Sequence, residues 1–233
     1  MKSVSLIIPT YNEAENIKPF IEEISEVVDK TVADIEFIFV DDNSPDGTGN
    51  VIEELKKLYP IQCIHRSGKL GLGSAVIEGF KKSKREYLGV MDADLSHDPV
   101  ILNDMFRALD MCDIAIGSRF VLGSRVEDWK WWRKLTSVVG VKISELISGA
   151  KDPLSGFFIM RRSVINGVEL TTTGYKILFE ILVKGKWKSI REFPFVFRMR
   201  AHSASKLSAR EYVLFGKQIL SYAWYKLTNK KSK

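Results

Sequence analysis

Tyr87-Leu88-Gly89-Val90-Met91-Asp92-Ala93-Asp94 is the stretch whose reading decides the fold. Its first five residues run apolar without alternation, as in a β-strand covered on both faces. The run ends in two carboxylates one residue apart. A strand end presenting Asp-x-Asp offers hard oxygen ligands, which suit Mg²⁺ or Mn²⁺. Turn chemistry and helix capping also place Asp-x-Asp at strand ends, so the neighbouring segments decide between these readings.

Outward from this stretch the same pattern repeats. Residues 4–8, 35–40, 61–64 and 114–116 read as further, mostly apolar strands. Helices are expected at 15–28, from the turn after residue 48 through 58, at 72–82 and at 100–109. In the first of them, Ile17, Phe20, Ile21, Ile24 and Val27/Val28 recur with helical spacing. Buried strands alternating with helices give an α/β chain, a doubly wound, Rossmann-like and mostly parallel sheet. Ligands of such sheets bind beyond the carboxyl ends of the strands.

After about Gly117 the alternation gives way to an elaborated C-terminal half. A Trp-rich loop leads to a helix near 134–147, a strand at 156–160, a helix from 176, a strand at 190–197 and a helix at 209–227. No repeat, low-complexity tract or Gly/Ser linker divides the 233 residues. One domain over 1–210 is therefore expected, with a basic amphipathic helix and tail at 209–233 either packed on it or associated with a membrane.

Composition narrows the function classes. The apolar runs fall far short of the ~20 residues that span a bilayer, and the start at Met1-Lys2 enters a strand without a signal-peptide pattern. A cytoplasmic chain is expected. Cys63 and Cys112 show no CxxC or Cys/His spacing, which reads as buried thiols rather than a zinc site or disulfide. The net charge of +6 is uneven: residues 184–233 hold thirteen Lys/Arg and two acids, or +11, leaving −5 on the rest. That asymmetry fits an anionic partner such as a phosphorylated substrate, an acidic membrane surface or nucleic acid.

The loops at the strand ends carry the chemistry. Pro9-Thr10-Tyr11-Asn12-Glu13 closes the first strand and offers a ring for base stacking; Asn12 or Glu13 can cap the following helix. Asp41-Asp42-Asn43-Ser44-Pro45-Asp46-Gly47-Thr48 closes the second with acids able to accept from ribose or a base edge, among dense turn formers. Arg66-Ser67-Gly68-Lys69-Leu70-Gly71-Leu72-Gly73 opens a helix after the third strand. Its glycines do not make the dinucleotide fingerprint, but a glycine-rich loop with a lysine at a helix start can approach an anion.

Together these segments resemble the family-2 glycosyltransferases, and within them the dolichol-phosphate mannose synthase branch. Gly117-Ser118-Arg119, Asp152-Pro153-Leu154-Ser155-Gly156-Phe157-Phe158, Gly174-Tyr175-Lys176 and Arg200 with Ser205-Lys206-Leu207 extend the resemblance over roughly residues 3–210. It implies a GT-A fold and inverting transfer of mannose from GDP-mannose to dolichyl or another polyprenyl phosphate. A UDP-glucose-dependent polyprenyl-phosphate glucosyltransferase is the alternative. Pro9, Tyr11, Glu13, Val40 and Asp42 would hold the nucleoside, while Asp92 and Ala93 would contact the nucleotide sugar. Asp94 would hold Mg²⁺ or Mn²⁺ with Asp92 and with Ser96, where many relatives have Gln. Arg119, Lys176, Arg200 and Lys206, with Lys69 in the glycine-rich loop, would meet donor or acceptor phosphates, and Arg133 the acceptor. Ser203 departs from the glycine usual before the Ser-Lys pair.

Trp129-Lys130-Trp131-Trp132-Arg133-Lys134 mixes indoles with cations as bilayer-interface segments do. The expectation is a peripheral protein on the cytoplasmic face of a membrane, with a membrane-embedded partner subunit as a further candidate. A nucleic-acid-binding protein would explain the basic end but not Asp92, Asp94 or the glycine-rich loop, and no nucleic-acid motif is present. A catalytically silent nucleotide-sugar-binding subunit is disfavoured by the full set of acids and cations.

Overall fold

A computed structural model describes residues 1–127, 131–174, 176–199 and 209–228, with side chains described in all but 131–139 and 209–214. The first half follows the expected alternation. β1 (Lys2–Thr10), α1 (Ala14–Val27), β2 (Ala33–Asp41), α2 (Thr48–Leu55), β3 (Ile61–His65), α3 (Leu72–Lys82), β4 (Tyr87–Val90), α4 (Leu102–Ala108) and β5 (Ile114–Ser118) succeed one another. A 3-10 turn at Pro99–Ile101 precedes α4, where Asp98 accepts from the Val100 N–H and starts the turn before the helix proper. The second half holds β6 (Arg125–Val126), α5 (Trp131–Ser148), β7 (Phe158–Arg161), α6 (Ile177–Lys184), β8 (Ile190–Pro194), β9 (Val196–Phe197) and α7 (Ala209–Thr228).

Seven strands form the main sheet in the order β3-β2-β1-β4-β7-β5-β8. Every neighbouring pair is parallel except the two made by β7, which runs antiparallel between β4 and β5. The expected strand at 190–197 is two pieces. β8 ends at Pro194, which has no N–H to give, and β9 pairs instead with β6 in a separate ribbon. The buried strand residues face two cores. On one side Phe20, Ile21 and Ile24 of α1 meet Phe37 and Phe39; on the other, Ile7, Ile38 and Val90 meet Val76 and Phe80 of α3 and Leu178 and Ile181 of α6. Each such side chain contributes about 1.5–3 kcal/mol relative to exposure. A third, smaller cluster joins Val141 of α5, Phe179 and Val183 of α6 and Tyr222 of α7, with Phe215 and Ile219 packed against it. So α7 rests on α5 and α6 while its Leu220, Trp224 and Leu227 stay exposed.

From β1 the chain builds outward to β2 and β3, then crosses back to lay β4 on the other side of β1. This reversal makes a crevice at the carboxyl ends of β1 and β4, the place where such sheets bind ligands.

Candidate active site

The loops after β1 and β2 are fastened to each other. Backbone N–H groups of Asn12, Glu13 and Ala14 donate to Ser44 Oγ at 2.9 Å, Thr48 Oγ1 at 2.9 Å and Asp46 Oδ2 at 3.1 Å. Ser44 in turn donates to both Asp41 carboxylate oxygens, from N at 3.1 Å and from Oγ at 2.5 Å. Asn12 and Asn43 take left-handed backbone angles, φ 59° and 57°, which asparagine tolerates well. The abundance of Asn, Ser, Asp and Thr here thus serves one purpose, holding Tyr11 and Glu13 at the crevice.

Asp42 shapes the third loop. Its Oδ1 accepts from Arg66 Nη1 at 2.5 Å, and its Oδ2 from the N–H groups of Leu70 and Gly71 at 3.1 and 3.2 Å. Arg66 also donates to Ser74 Oγ at 2.7 Å. Gly71 has φ +104°, and a Cβ there would lie 2.4 Å from the Thr173 carbonyl oxygen, so only glycine fits this turn. The loop so fixed sets the Lys69 ammonium 4.2 Å from the centre of the Tyr11 ring. Residues 172–174 lie against the start of α3 and lead to Lys176 at the start of α6, whose ammonium is 5.7 Å from the Phe215 ring.

The Asp-x-Asp segment leaves β4 through a tight turn in which Leu95 has φ 62°, a strained angle for leucine. Asp94 is buried, and its Oδ1 accepts from Ser96 Oγ at 2.5 Å and Ser96 N at 3.1 Å. The Asp92 side chain is 28 % exposed. Gly156 makes room for it, since a Cβ there would stand 3.0 Å from Asp92 Oδ2. His97 is buried against Phe157, Phe195 and Phe197, with ring centres 5.3, 5.7 and 5.8 Å away. Its Nδ1 accepts from the Asp92 N–H at 3.3 Å, and its Nε2 lies 3.8 Å from Asp92 Oδ2.

Arg119, at the end of β5, is held by Asp152. Nε and Nη2 donate to the two carboxylate oxygens at 2.8 Å each, and the Arg119 N–H adds a third bond at 2.9 Å. Burial alone would lower the Arg119 pKa, but the charge and hydrogen bonds of Asp152, with the charge of Asp92, raise it above its usual value. The guanidinium therefore stays cationic beside the Asp-x-Asp segment. Asp152 is fixed from behind by Glu192, whose carboxylate accepts from the Asp152 N–H at 3.0 Å.

Pro9, Tyr11, Glu13, Val40, Asp42, Lys69, Asp92, Ala93, Asp94, Ser96 and Arg119 all occupy the carboxyl-end loops or the strand residues beneath them. Val40 and Ala93 are buried beneath these loops. Arg133 belongs to α5, but its side chain lies outside the described residues, as do Arg200, Ser203, Lys206 and the full Trp129–Lys134 cluster except for the backbone of α5. Reading the sequence did not single out Arg66, Asp152 or His97 for the roles they have here. The signals were present, because Asp152 falls within a quoted motif, His97 follows the Asp-x-Asp segment by three residues and Arg66 opens the glycine-rich loop.

Two carboxylates with a supporting hydroxyl at an open strand end form an all-oxygen donor set, and this fits Mg²⁺ or Mn²⁺. Comparison with known proteins decides the family. The sequence model of glycosyl transferase family 2 matches residues 5–168. The chain belongs to that family. This family-2 chain is 44 % identical over 214 residues to the dolichol-phosphate mannosyltransferase of Pyrococcus furiosus, covering 89 % of this chain and 60 % of that protein. It is 34 % identical to the Saccharomyces cerevisiae protein of the same name, covering 92 % of this chain and 85 % of the relative. Among solved structures, mannosyl-3-phosphoglycerate synthase from Rubrobacter xylanophilus superposes with TM-score 0.70 at 16 % identity, over 98 % of this chain and 75 % of the other. Glucosyl-3-phosphoglycerate synthase from Mycobacterium tuberculosis, solved with Mn²⁺, UDP-glucose and glycerol 3-phosphate, gives 0.64 at 16 % identity, over 95 % and 79 %. At such identities the likeness concerns the fold, which is the GT-A architecture expected from the sequence.

Proposed function

We propose that this family-2 chain transfers mannose from GDP-mannose to the phosphate of dolichol or a related polyprenol, with Mg²⁺ or Mn²⁺ at Asp92 and Asp94. The identity to proteins named dolichol-phosphate mannosyltransferase, 34 % over 92 % of this chain for the yeast relative, carries the reading. An oxygen of the acceptor phosphate attacks the anomeric carbon, the bond from that carbon to the diphosphate breaks, and GDP leaves with the electron pair. Attack opposite the leaving group inverts the configuration. A bound divalent cation supplies Lewis-acid charge to the diphosphate.

The chain's own residues do the rest. Tyr11 and Glu13, above the strand ends that carry Pro9 and Val40, receive the nucleoside, on loops whose shape Asp42 and Arg66 maintain. Lys69, Arg119 and Lys176 offer cations to the developing diphosphate charge, which is electrostatic stabilisation by groups already in place. Ser96 and His97 orient Asp94 and Asp92. Arg133, Arg200 and Lys206 are assigned to the acceptor phosphate. That phosphate is already anionic near pH 7, so no general base is required.

The acceptor's lipid tail brings the site to a membrane. No helix among the described residues is long and apolar enough to cross one. Attachment to the cytoplasmic surface, directly or through a membrane-embedded subunit, is part of the same proposal and rests on the lipid acceptor. The test is a transfer assay with a polyprenyl phosphate acceptor, comparing GDP-mannose with UDP-glucose under chelator-controlled Mg²⁺ and Mn²⁺. Mannosyl transfer that needs the cation and is abolished in Asp94→Ala is the expected result. Preference for UDP-glucose would replace the donor, and full activity of Asp94→Ala would remove the metal assignment.

A further inference from the structure

We propose that Glu53, Cys63 and His65 form a second cation site, remote from Asp92 and Asp94, that takes a thiophilic divalent ion such as Zn²⁺. Cys63 and His65 are two residues apart on β3, so they project to the same face of this edge strand. That face meets α2, from which Glu53 reaches them. One ligand atom from each of the three, a thiol sulfur, an imidazole nitrogen and a carboxylate oxygen, lies within 4.8 Å of the other two. His65 Nε2 and Glu53 Oε1 are already 3.2 Å apart. Gly49 lets the ring lie so close to α2, since a Cβ there would stand 3.0 Å from His65 Cε1.

The donor chemistry sets the ion. Three protein ligands of S, N and O type, with the fourth position left to water, match tetrahedral zinc. Ligand atoms around zinc sit roughly 3–4 Å apart, so modest rotamer changes close the present spacing. Mg²⁺ and Ca²⁺ favour all-oxygen shells and are poorly served by a thiolate. The two sites therefore sort their ions by softness. Burial pushes the Cys63 thiol up to about 12, with Glu53 and Asp41 adding to the shift and Lys56 opposing it. An arriving ion displaces the sulfur proton to solvent, and it displaces Lys56, whose Nζ is 3.4 Å from Glu53 Oε2. Spacing along the sequence gave no hint of a zinc site around Cys63, because the third ligand comes from α2.

An ion here would staple α2 to β3 just behind the nucleoside loop. His65 is the register partner of Asp41, which anchors Ser44 and through it Asn12. The experiment uses the untagged chain, stripped of metal and carrying Asp94→Ala so that the Asp-x-Asp segment does not contribute. Co²⁺ is titrated while the near-ultraviolet thiolate-to-cobalt charge-transfer band is recorded, and Zn²⁺ is then added as competitor with thermal unfolding as a second readout. One Co²⁺ per chain with a thiolate band, displaced by Zn²⁺, is expected. Cys63→Ser should lose the band, and His65→Gln and Glu53→Gln should weaken Zn²⁺ binding by about tenfold or more. Absence of the band, or Zn²⁺ binding unchanged in Cys63→Ser, would overturn the site. Glu53 is on the helix surface, so Glu53→Gln keeps the test decisive should a strand variant fail to fold; unchanged Zn²⁺ affinity in it also counts against the proposal.

Discussion

Asp42 and Arg66 have side chains only 7 % and 5 % exposed, and each satisfies the other's charge at 2.5 Å. Removing one member of a buried pair leaves the other charged and desolvated, which typically costs up to about 3–5 kcal/mol, here reduced on the Arg66 side by Glu78, whose Oε2 is 3.2 Å from Arg66 Nε. Asp42→Ala should therefore lower unfolding free energy by that order in urea titrations, in addition to any loss of donor binding. A loss of activity with no change in the urea midpoint would mean that the pair is not maintained in solution. Arg119 makes a different prediction. Its planar fork spans both Asp152 oxygens, a geometry that lysine cannot reproduce. Charge-assisted hydrogen bonds are worth roughly 1.5–3 kcal/mol, so Arg119→Lys should reduce kcat/KM by about tenfold or more while keeping the charge. If only the melting temperature fell and kcat/KM held, Arg119 would be structural.

At the scale of elements, a clamp joins the β1 and β2 loops, which are proposed to hold the donor. Asp46 accepts from the Ala14 N–H and from both the N–H and the hydroxyl of Thr48. Burial would raise its pKa, but those hydrogen bonds outweigh that and hold it below the ordinary 3.8. A carboxylate with a depressed folded-state pKa stabilises the fold fully above its unfolded value, and the contribution is lost as pH falls through the lower folded value. Asp46→Ala should thus be less stable than the parent near neutral pH, and the gap should narrow as the pH is taken below about 4. If these loops receive the nucleoside as proposed, the variant should also raise KM for the donor more than it changes kcat. Stability curves that stay parallel from pH 7 down to the acid transition would exclude a role for the Asp46 charge.

At the scale of the whole molecule, charge and apolar exposure collect in the second half. The last fifty residues carry +11. Leu146 of α5 and Leu220, Trp224 and Leu227 of α7 are 69–87 % exposed on helices that pack together in the third cluster. Cations near an anionic surface contribute about 1 kcal/mol each, reduced by salt, and exposed indole and leucine side chains add interfacial anchoring. Binding to anionic liposomes should be measurable at low ionic strength, weaken as salt rises, and drop in Leu220→Ser/Trp224→Ser. Co-sedimentation of that double variant equal to the parent's would move the membrane contact elsewhere.

The sequence by itself determined the layered architecture, since predominantly apolar runs such as residues 35–40, interrupted only by Glu36, and 87–91 are stable between two layers of helices. It also put the Asp-x-Asp segment, Tyr11 and the glycine-rich loop at the carboxyl edge, because each directly follows a strand and local order survives folding. Only the tertiary structure decided which strands are neighbours. β7 was legible as a strand, but its antiparallel seat between β4 and β5, which brings Gly156 against Asp92, is not written in its own residues. The same holds for Arg119 with Asp152, 33 residues apart, and Asp42 with Arg66, 24 residues apart. A charged side chain shows its chemistry in the sequence. The partner that lets it be buried is set by the crossing of strands distant along the chain, and that belongs to topology.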